Sequence, residues 1–178
     1  MSMFKQLLKM TTPIFLLFYS MACVAEPSAT IEVSAQIEAG CVFQQSPIGL
    51  NFGIHASTAQ ESTVTANISN TQQTWKIECT PNTPVNITFG NGKSVNTQTQ
   101  NRRLKHNSAE HYLDYMLYQD ANLSQPIGTT SDNTLTKQST TQNYLLDFQI
   151  YGVVDLSQGA VNKMPGQYTD DVLITITW

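Results

Sequence analysis

Residues 30–39 read TIEVSAQIEA, and in this stretch every odd-numbered residue is apolar and every even-numbered residue is polar. Alternation over ten residues predicts a β-strand with one buried face. The other end of the chain alternates too, since residues 172–178 read VLITITW. Further strand-like runs, separated by turn residues, lie at 64–68, 75–79, 85–89, 112–118 and 144–154. About seven short strands without an amphipathic helix predict an all-β protein, a β-sandwich of one domain.

The two terminal strands have unusually open edges. In the last strand Val172, Ile174, Ile176 and Trp178 share one face, and no charged residue follows them. Neither terminal strand carries the Lys or Pro that commonly blocks pairing with another chain. Such ends are either an aggregation defect or a device for assembly.

The start of the chain has the pattern of a secretory signal peptide. Lys5 and Lys9 precede a short apolar run, and small residues lead up to Ala25. The apolar run is too short to span a bilayer comfortably, which favours a cleaved signal over residues 1–25. The alternative is a lipoprotein processed at Cys23. A cleaved signal predicts export through the periplasm.

Cleavage would leave two of the three cysteines, Cys41 and Cys79. Oxidising compartments favour a disulfide between such a pair, so we expect Cys41 and Cys79 to be bonded. The alternative is two free thiols. A pair of cysteines alone does not make a metal site.

Charge and motifs argue against several functional classes. The formal net charge is −4 with only nine Lys and Arg, which disfavours nucleic acid as a partner. His106 and His111 are spaced wrongly for a helical zinc motif, so we expect a solvated loop there. Acids such as Asp114 and Asp170 are scattered, and we expect them to be solvated. We expect no enzyme activity, no cofactor, no metal and no small-molecule substrate.

Three blocks of sequence, taken in order, resemble a known family. They are IEVSAQIEAGC (31–41) followed by LNFG (50–53); RL (103–104) with LDYMLYQD (113–120); and YG (151–152) with PGQYTDDVLITITW (165–178). Together they resemble the spore coat protein U domain, the fold unit of archaic (Csu-type) chaperone–usher pilins. The resemblance runs from about residue 31 to the C-terminus.

The resemblance implies an incomplete immunoglobulin-like β-sandwich that is completed by a donated strand. Residues 26–39 would be the donor segment and 40–178 the pilin domain. The donor residues would be Ile31, Val33, Ala35 and Ile37. The acceptor and chaperone-binding edge would be Val172, Ile174, Ile176 and Trp178. A periplasmic chaperone, an outer-membrane usher and neighbouring pilus subunits would be the partners.

The function that this implies is a stalk or adaptor subunit of an extracellular adhesive pilus, supporting surface attachment and biofilm formation. One alternative is a secreted coat or matrix protein built on the same domain. A second alternative, of a different class, is a periplasmic binding module.

Overall fold

The computed structural model describes residues 28–45, 48–69, 75–130 and 132–178. Within them it contains twelve strands and a single turn of 3₁₀-helix at Ala160–Asn162. The strands are β1 (Cys41–Phe43), β2 (Val64–Ile68), β3 (Trp75–Cys79), β4 (Pro84–Phe89), β5 (Arg102–His106), β6 (Tyr112–Tyr118), β7 (Pro126–Ile127), β8 (Thr134–Gln138), β9 (Leu145–Phe148), β10 (Ile150–Val154), β11 (Tyr168–Thr169) and β12 (Ile174–Thr177). The predicted signal peptide, residues 1–25, lies outside the described residues. In the described ranges no helix is long and apolar enough to cross a membrane.

The chain divides into two units, Met1–Gln36 and Ile37–Trp178. In the first unit, residues 28–36 are exposed and have no regular secondary structure. The strand predicted over 30–39 is therefore not formed in the single chain. A strand acquires its hydrogen-bond ladder only from a neighbouring strand, and an alternating sequence alone does not supply one.

The second unit contains three antiparallel sheets. The large sheet has the order β11-β5-β6-β10-β2, with β7 also paired to β6. The C-terminal sheet has the order β12-β4-β8. The disulfide sheet has the order β1-β3-β9. Antiparallel sheets joined by short connections are typical of a sandwich.

The run predicted as one strand over 144–154 is divided in the structure. β9 pairs with β3 in the disulfide sheet, whereas β10 pairs with β2 and β6 in the large sheet. The break lies at Gln149, yet Leu146, Phe148 and Ile150 are all buried as the alternation predicts. Strands that pass between the sheets of a sandwich bend at such corners.

The core lies between the sheets and follows the alternation. In β3, Trp75, Ile77 and Cys79 are buried while the two residues between them are only half-buried. The rings of Trp75 and Phe89 stack with centroids 5.7 Å apart. Burial of these apolar faces is the main favourable term in forming the domain.

Two of the sequence blocks that suggested the family meet in this core. A Cβ atom at Gly152 in β10 would lie 3.0 Å from Phe52 Cζ and 3.1 Å from Leu50 Cδ1. The segment before and after Asn51 therefore packs directly on the backbone of β10. Glycine at 152 permits this close approach.

Candidate acceptor groove

The last strand forms the edge of its sheet. β12 pairs with β4 in the register Ile174↔Phe89, Thr175↔Thr88 and Ile176↔Ile87. Among the described residues its other side has no ladder partner. An unpaired edge exposes backbone N–H and C=O groups that can pair with another chain.

The large sheet also ends in an unpaired edge. β2 pairs with β10 on one side only, in the part of the chain that the structure describes. A cavity of about 370 Å³ is lined by residues of both edges, with Ile68 from β2 and Ile174 from β12. The cavity, which Ile48, Gly49, Leu50 and Phe52 also line, therefore lies beside both outer strands.

The wall of this cavity is mostly apolar. The large sheet contributes Ile68, Tyr115, Leu117 and Ile150, and the opposite side contributes Trp75, Phe89, Val172 and Ile174. Such a wall suits aliphatic side chains, since burying them stabilises by roughly 25 cal/mol per Å². We call this cavity, with the adjoining edge of β12, the acceptor groove.

The predicted acceptor residues occupy different positions along this groove. Val172 and Ile174 line the cavity, and both pack against the core. Ile176 also packs against the core but lies outside the cavity. Trp178 is 55% exposed, and its indole Nε1 donates a hydrogen bond to the carbonyl oxygen of Ala39. Their role in binding a chaperone stays a prediction.

The predicted donor residues are exposed. Ile31, Val33 and Ile37 are 83%, 89% and 95% exposed, and Ala35 is exposed as well. Large aliphatic side chains are rarely left so open on a soluble domain unless a partner covers them. Their role as donor also stays a prediction.

The disulfide between Cys41 and Cys79 is present and joins β1 to β3. The two residues lie directly opposite each other in the ladder, with Cα atoms 4.1 Å apart. Beside the disulfide, the amide of Thr80 donates to the carbonyl oxygen of Gly40, and the amide of Gly40 donates to Thr80 Oγ1. The chain is thus tied to the disulfide sheet immediately after the predicted donor segment.

A polar contact at one end of the groove was missed in the sequence. The hydroxyl of Tyr115 donates to Asp170 Oδ2 at 2.6 Å, and the amide of Lys93 donates to Asp170 Oδ1 at 2.7 Å. Gly92 has φ +74°, and a Cβ there would lie 2.0 Å from Asp170 Oδ2. The expectation that the acids are solvated is wrong for Asp170, which is half-buried.

Burial is the first cause of a raised pKa at Tyr115, and its hydrogen bond to Asp170 is the second. The hydroxyl is therefore held neutral as a donor. The alternation through β6 indicates that Tyr115 points inward, which was the available signal for its partner. Identifying that partner requires the fold, because Asp170 is 55 residues away.

Arg102 lies close to this contact and is only 2% exposed. Its guanidinium donates to three backbone carbonyls, those of Gly90, Ile127 and Gly128, at 2.9, 2.7 and 2.7 Å. Burial lowers the pKa of Arg102, while Tyr115 and Asp170 act in the opposite direction. Arg102 thus fastens the end of β4 to the large sheet.

A family model describes most of this chain. The model of the spore coat protein U domain matches residues 28–175. The chain belongs to the spore coat protein U domain family. A search of curated proteins gives no match.

Two solved structures are similar to the domain. One is the complex of CsuC with CsuE, a chaperone and tip adhesion subunit from archaic chaperone–usher Csu pili of Acinetobacter baumannii, with TM-score 0.51 and 15% identity. The alignment covers 80% of this chain and 40% of that one, so this chain spans less than half of its length. The other is a chaperone–usher pilus described for rod uncoiling, with TM-score 0.49 and 13% identity, covering 87% and 96%. The predicted all-β, immunoglobulin-like class is confirmed.

The family domain offers no metal centre in the part that the structure describes, since no three His, Cys, Asp or Glu side chains converge there. The prediction of a solvated loop is wrong for His106, which is buried at the end of β5. Its ring contacts the edge of Tyr168 at 5.0 Å, and its Nε2 lies 3.3 Å from the carbonyl oxygen of Pro165. These contacts give His106 a packing role under the turn at 165–166.

Proposed function

We propose that the chain is a structural subunit, stalk or adaptor, of an archaic chaperone–usher adhesive pilus. It polymerises by donating residues 30–39 into the acceptor groove of a neighbouring copy or subunit. The observation that carries this proposal is the apolar groove beside the edges of β2 and β12, neither of which has a second ladder partner among the residues that the structure describes.

The exposed N-terminal segment matches this groove in chemistry. When residues 30–39 pair as a strand, one apolar face would consist of Ile31, Val33, Ala35 and Ile37. Burying that face would stabilise the joint by roughly 5–10 kcal/mol, before any backbone hydrogen bonds to β12. Strand addition of this kind is an established mode of recognition, with chaperone–pilin complexes among its examples. A head-to-tail contact that does not close produces a filament.

The same groove needs a temporary partner before assembly. A periplasmic chaperone would fill it first, and an outer-membrane usher would then pass the subunit to its neighbour. The CsuC–CsuE structure supports this order by being a chaperone–subunit pre-assembly complex of a similar fold. The resulting extracellular pilus would support surface attachment and biofilm formation. A secreted coat or matrix protein of the same family is the alternative.

The decisive experiment supplies the missing strand within one chain. In the self-complemented chain, residues 30–38 are moved behind Trp178 through a short flexible linker, and the domain begins at Ala39. The linker raises the effective concentration of the donor, so we expect a soluble monomer with cooperative unfolding. The unmodified mature chain should be polymeric or poorly soluble without a chaperone.

Charge substitutions on the two faces of the moved strand provide the test and its control. Asp at both Val33 and Ile37 should abolish the gain, because an unpaired charge would enter the groove. Asp at both Ser34 and Gln36 adds the same charge to the outward face and should leave the monomer intact. A stable monomer from the unmodified mature chain, unaffected by the transplant, would exclude strand donation.

A further inference from the structure

The sequence of the donor segment does not fix the register in which it would pair with the acceptor groove. What sets that register is inferred on the basis of the proposed function. Odd-numbered residues are apolar throughout 29–39, so a strand shifted by two residues still presents an apolar face to the groove. A shift by one residue would reverse the faces, but a shift by two would not. The alternation therefore cannot select one register, and the groove must do so.

The groove changes character at one end. In the connection between β11 and β12, Val172 follows two acids, Asp170 and Asp171, and all three line the cavity together with Ile174 of β12. Asp171 is exposed and pairs with Lys93. Asp170 is half-buried, and its carboxylate faces Tyr115, whose ring also lines the cavity.

The Asp170 carboxylate is held in place from several sides. Tyr115 comes from the large sheet and Lys93 from the loop after β4, and each donates to a different carboxylate oxygen. Gly92 leaves no side chain in the way. The buried guanidinium of Arg102 interacts favourably with this charge. Two hydrogen bonds from different parts of the fold hold the carboxylate in one orientation.

We propose that Asp170 sets the register of the donated strand by ending the apolar part of the groove. A strand moved two residues toward Asp170 advances by about 6.6 Å and places an aliphatic side chain against the carboxylate. Covering that charge with hydrocarbon is costly. A strand moved the other way leaves part of the 370 Å³ cavity empty and loses its packing contacts. Only one register of the donated strand therefore fills the cavity and leaves the Asp170 carboxylate uncovered.

Cysteine crosslinking in assembled fibres measures the register directly. Thr175 points outward on β12 and would be replaced by cysteine. Each even-numbered donor position from 30 to 38 would receive the second cysteine in turn, in the full mature chain assembled from its chaperone complex. Residues directly opposite in neighbouring strands crosslink best, and those two positions away are about 7–8 Å apart.

With Asp170 intact, we expect one donor position to give most of the crosslinked product with Thr175→Cys. In Asp170→Ala, a second crosslink two residues away should rise by on the order of tenfold. Asp147→Ala is the matched control, since it removes an exposed carboxylate of β9 that does not line the cavity, and it should keep the single partner. Tyr115→Phe removes one of the two hydrogen bonds to the Asp170 carboxylate. Its second crosslink should rise by less than the second crosslink of Asp170→Ala.

The outcomes separate this inference from the proposed function. If no donor position crosslinks to Thr175→Cys, strand donation itself is wrong. A single crosslinked partner in Asp170→Ala, or the same two partners in Asp147→Ala as in Asp170→Ala, overturns the register role alone. Should Asp170→Ala fail to assemble, Tyr115→Phe decides by the same criterion. If neither assembles, the contact serves the fold rather than the register, and the inference is wrong.

Discussion

The indole Nε1 of Trp178 lies 3.1 Å from the carbonyl oxygen of Ala39 and donates a hydrogen bond to it, although the two residues are 139 positions apart. Ala39 ends the alternating segment, and Trp178 follows directly after β12. The point where the predicted donor leaves the domain is thus tied to the end of the predicted acceptor edge.

Replacing Trp178 by Phe tests this tie. The variant keeps an aromatic ring but loses the N–H, so we expect the free energy of unfolding of the self-complemented chain to fall by about 0.5–1.5 kcal/mol. Trp178→Ala should cost more because it also removes the ring. Urea unfolding of the three chains measures the difference. An unchanged midpoint in Trp178→Phe would show that the hydrogen bond contributes nothing.

The disulfide is expected to contribute strongly to stability. It closes a loop with a sequence separation of 38 residues. Replacing Cys41 and Cys79 together by Ala should lower the free energy of unfolding by roughly 4 kcal/mol. Peptide mapping of periplasmic protein without reduction should find the crosslinked peptide, and two free thiols there would contradict the expectation.

Chaperone binding should depend on the inward face of β12. Ile174→Asp places an unpaired charge in the acceptor groove and should abolish recovery of a complex with the periplasmic chaperone. Thr175→Asp adds the same charge to the outward face and should leave recovery unchanged. Co-purification from periplasmic extracts measures both. Normal complex levels in Ile174→Asp would place the chaperone-binding edge elsewhere.

Arg102 should be far more sensitive to substitution than its neighbour. Arg102→Lys loses the fork that reaches three carbonyls and leaves some of them unsatisfied, so we expect a loss of about 2–4 kcal/mol in the self-complemented chain. Arg103→Lys is the control. Its guanidinium stacks on Tyr112, 4.1 Å from the ring centroid, and no hydrogen bond is lost at its Nε, so the loss should be about 1 kcal/mol or less. Equal losses would contradict the role of Arg102.

The raised pKa of Tyr115 predicts that the free energy of unfolding decreases at high pH. Its folded-state pKa is raised above the ordinary value of 10.0, so above that pH the unfolded chain releases a proton that the folded chain retains. The contribution of Tyr115 to the free energy of unfolding should be fully present below about pH 10 and should be lost as the pH rises further. Urea midpoints measured across this range should fall less steeply in Tyr115→Phe. Tyr144→Phe, which removes an exposed tyrosine, should keep the original slope.

The alternation predicted much of the local structure correctly. In β3 the apolar residues are buried, and the residues between them are only half-buried. The same rule gave inward faces for Leu146, Phe148 and Ile150. It failed to show that these three residues belong to two sheets, because the break between β9 and β10 at Gln149 preserves the buried face while changing the pairing partner.

The sequence by itself determined several of the segments that form strands between residues 64 and 178, which of their residues face inward and, given the predicted signal peptide, which two cysteines pair. These are local or compositional properties, set by the two-residue period of the backbone and by the redox compartment. Only the tertiary structure decided that β2 and β12 lie beside one cavity, each without a second ladder partner in the described part of the chain, and that Asp170 accepts a hydrogen bond from Tyr115 in the cavity wall. The reason is that pairing and cavities depend on which distant segments come together, and a period of two carries no information about that choice.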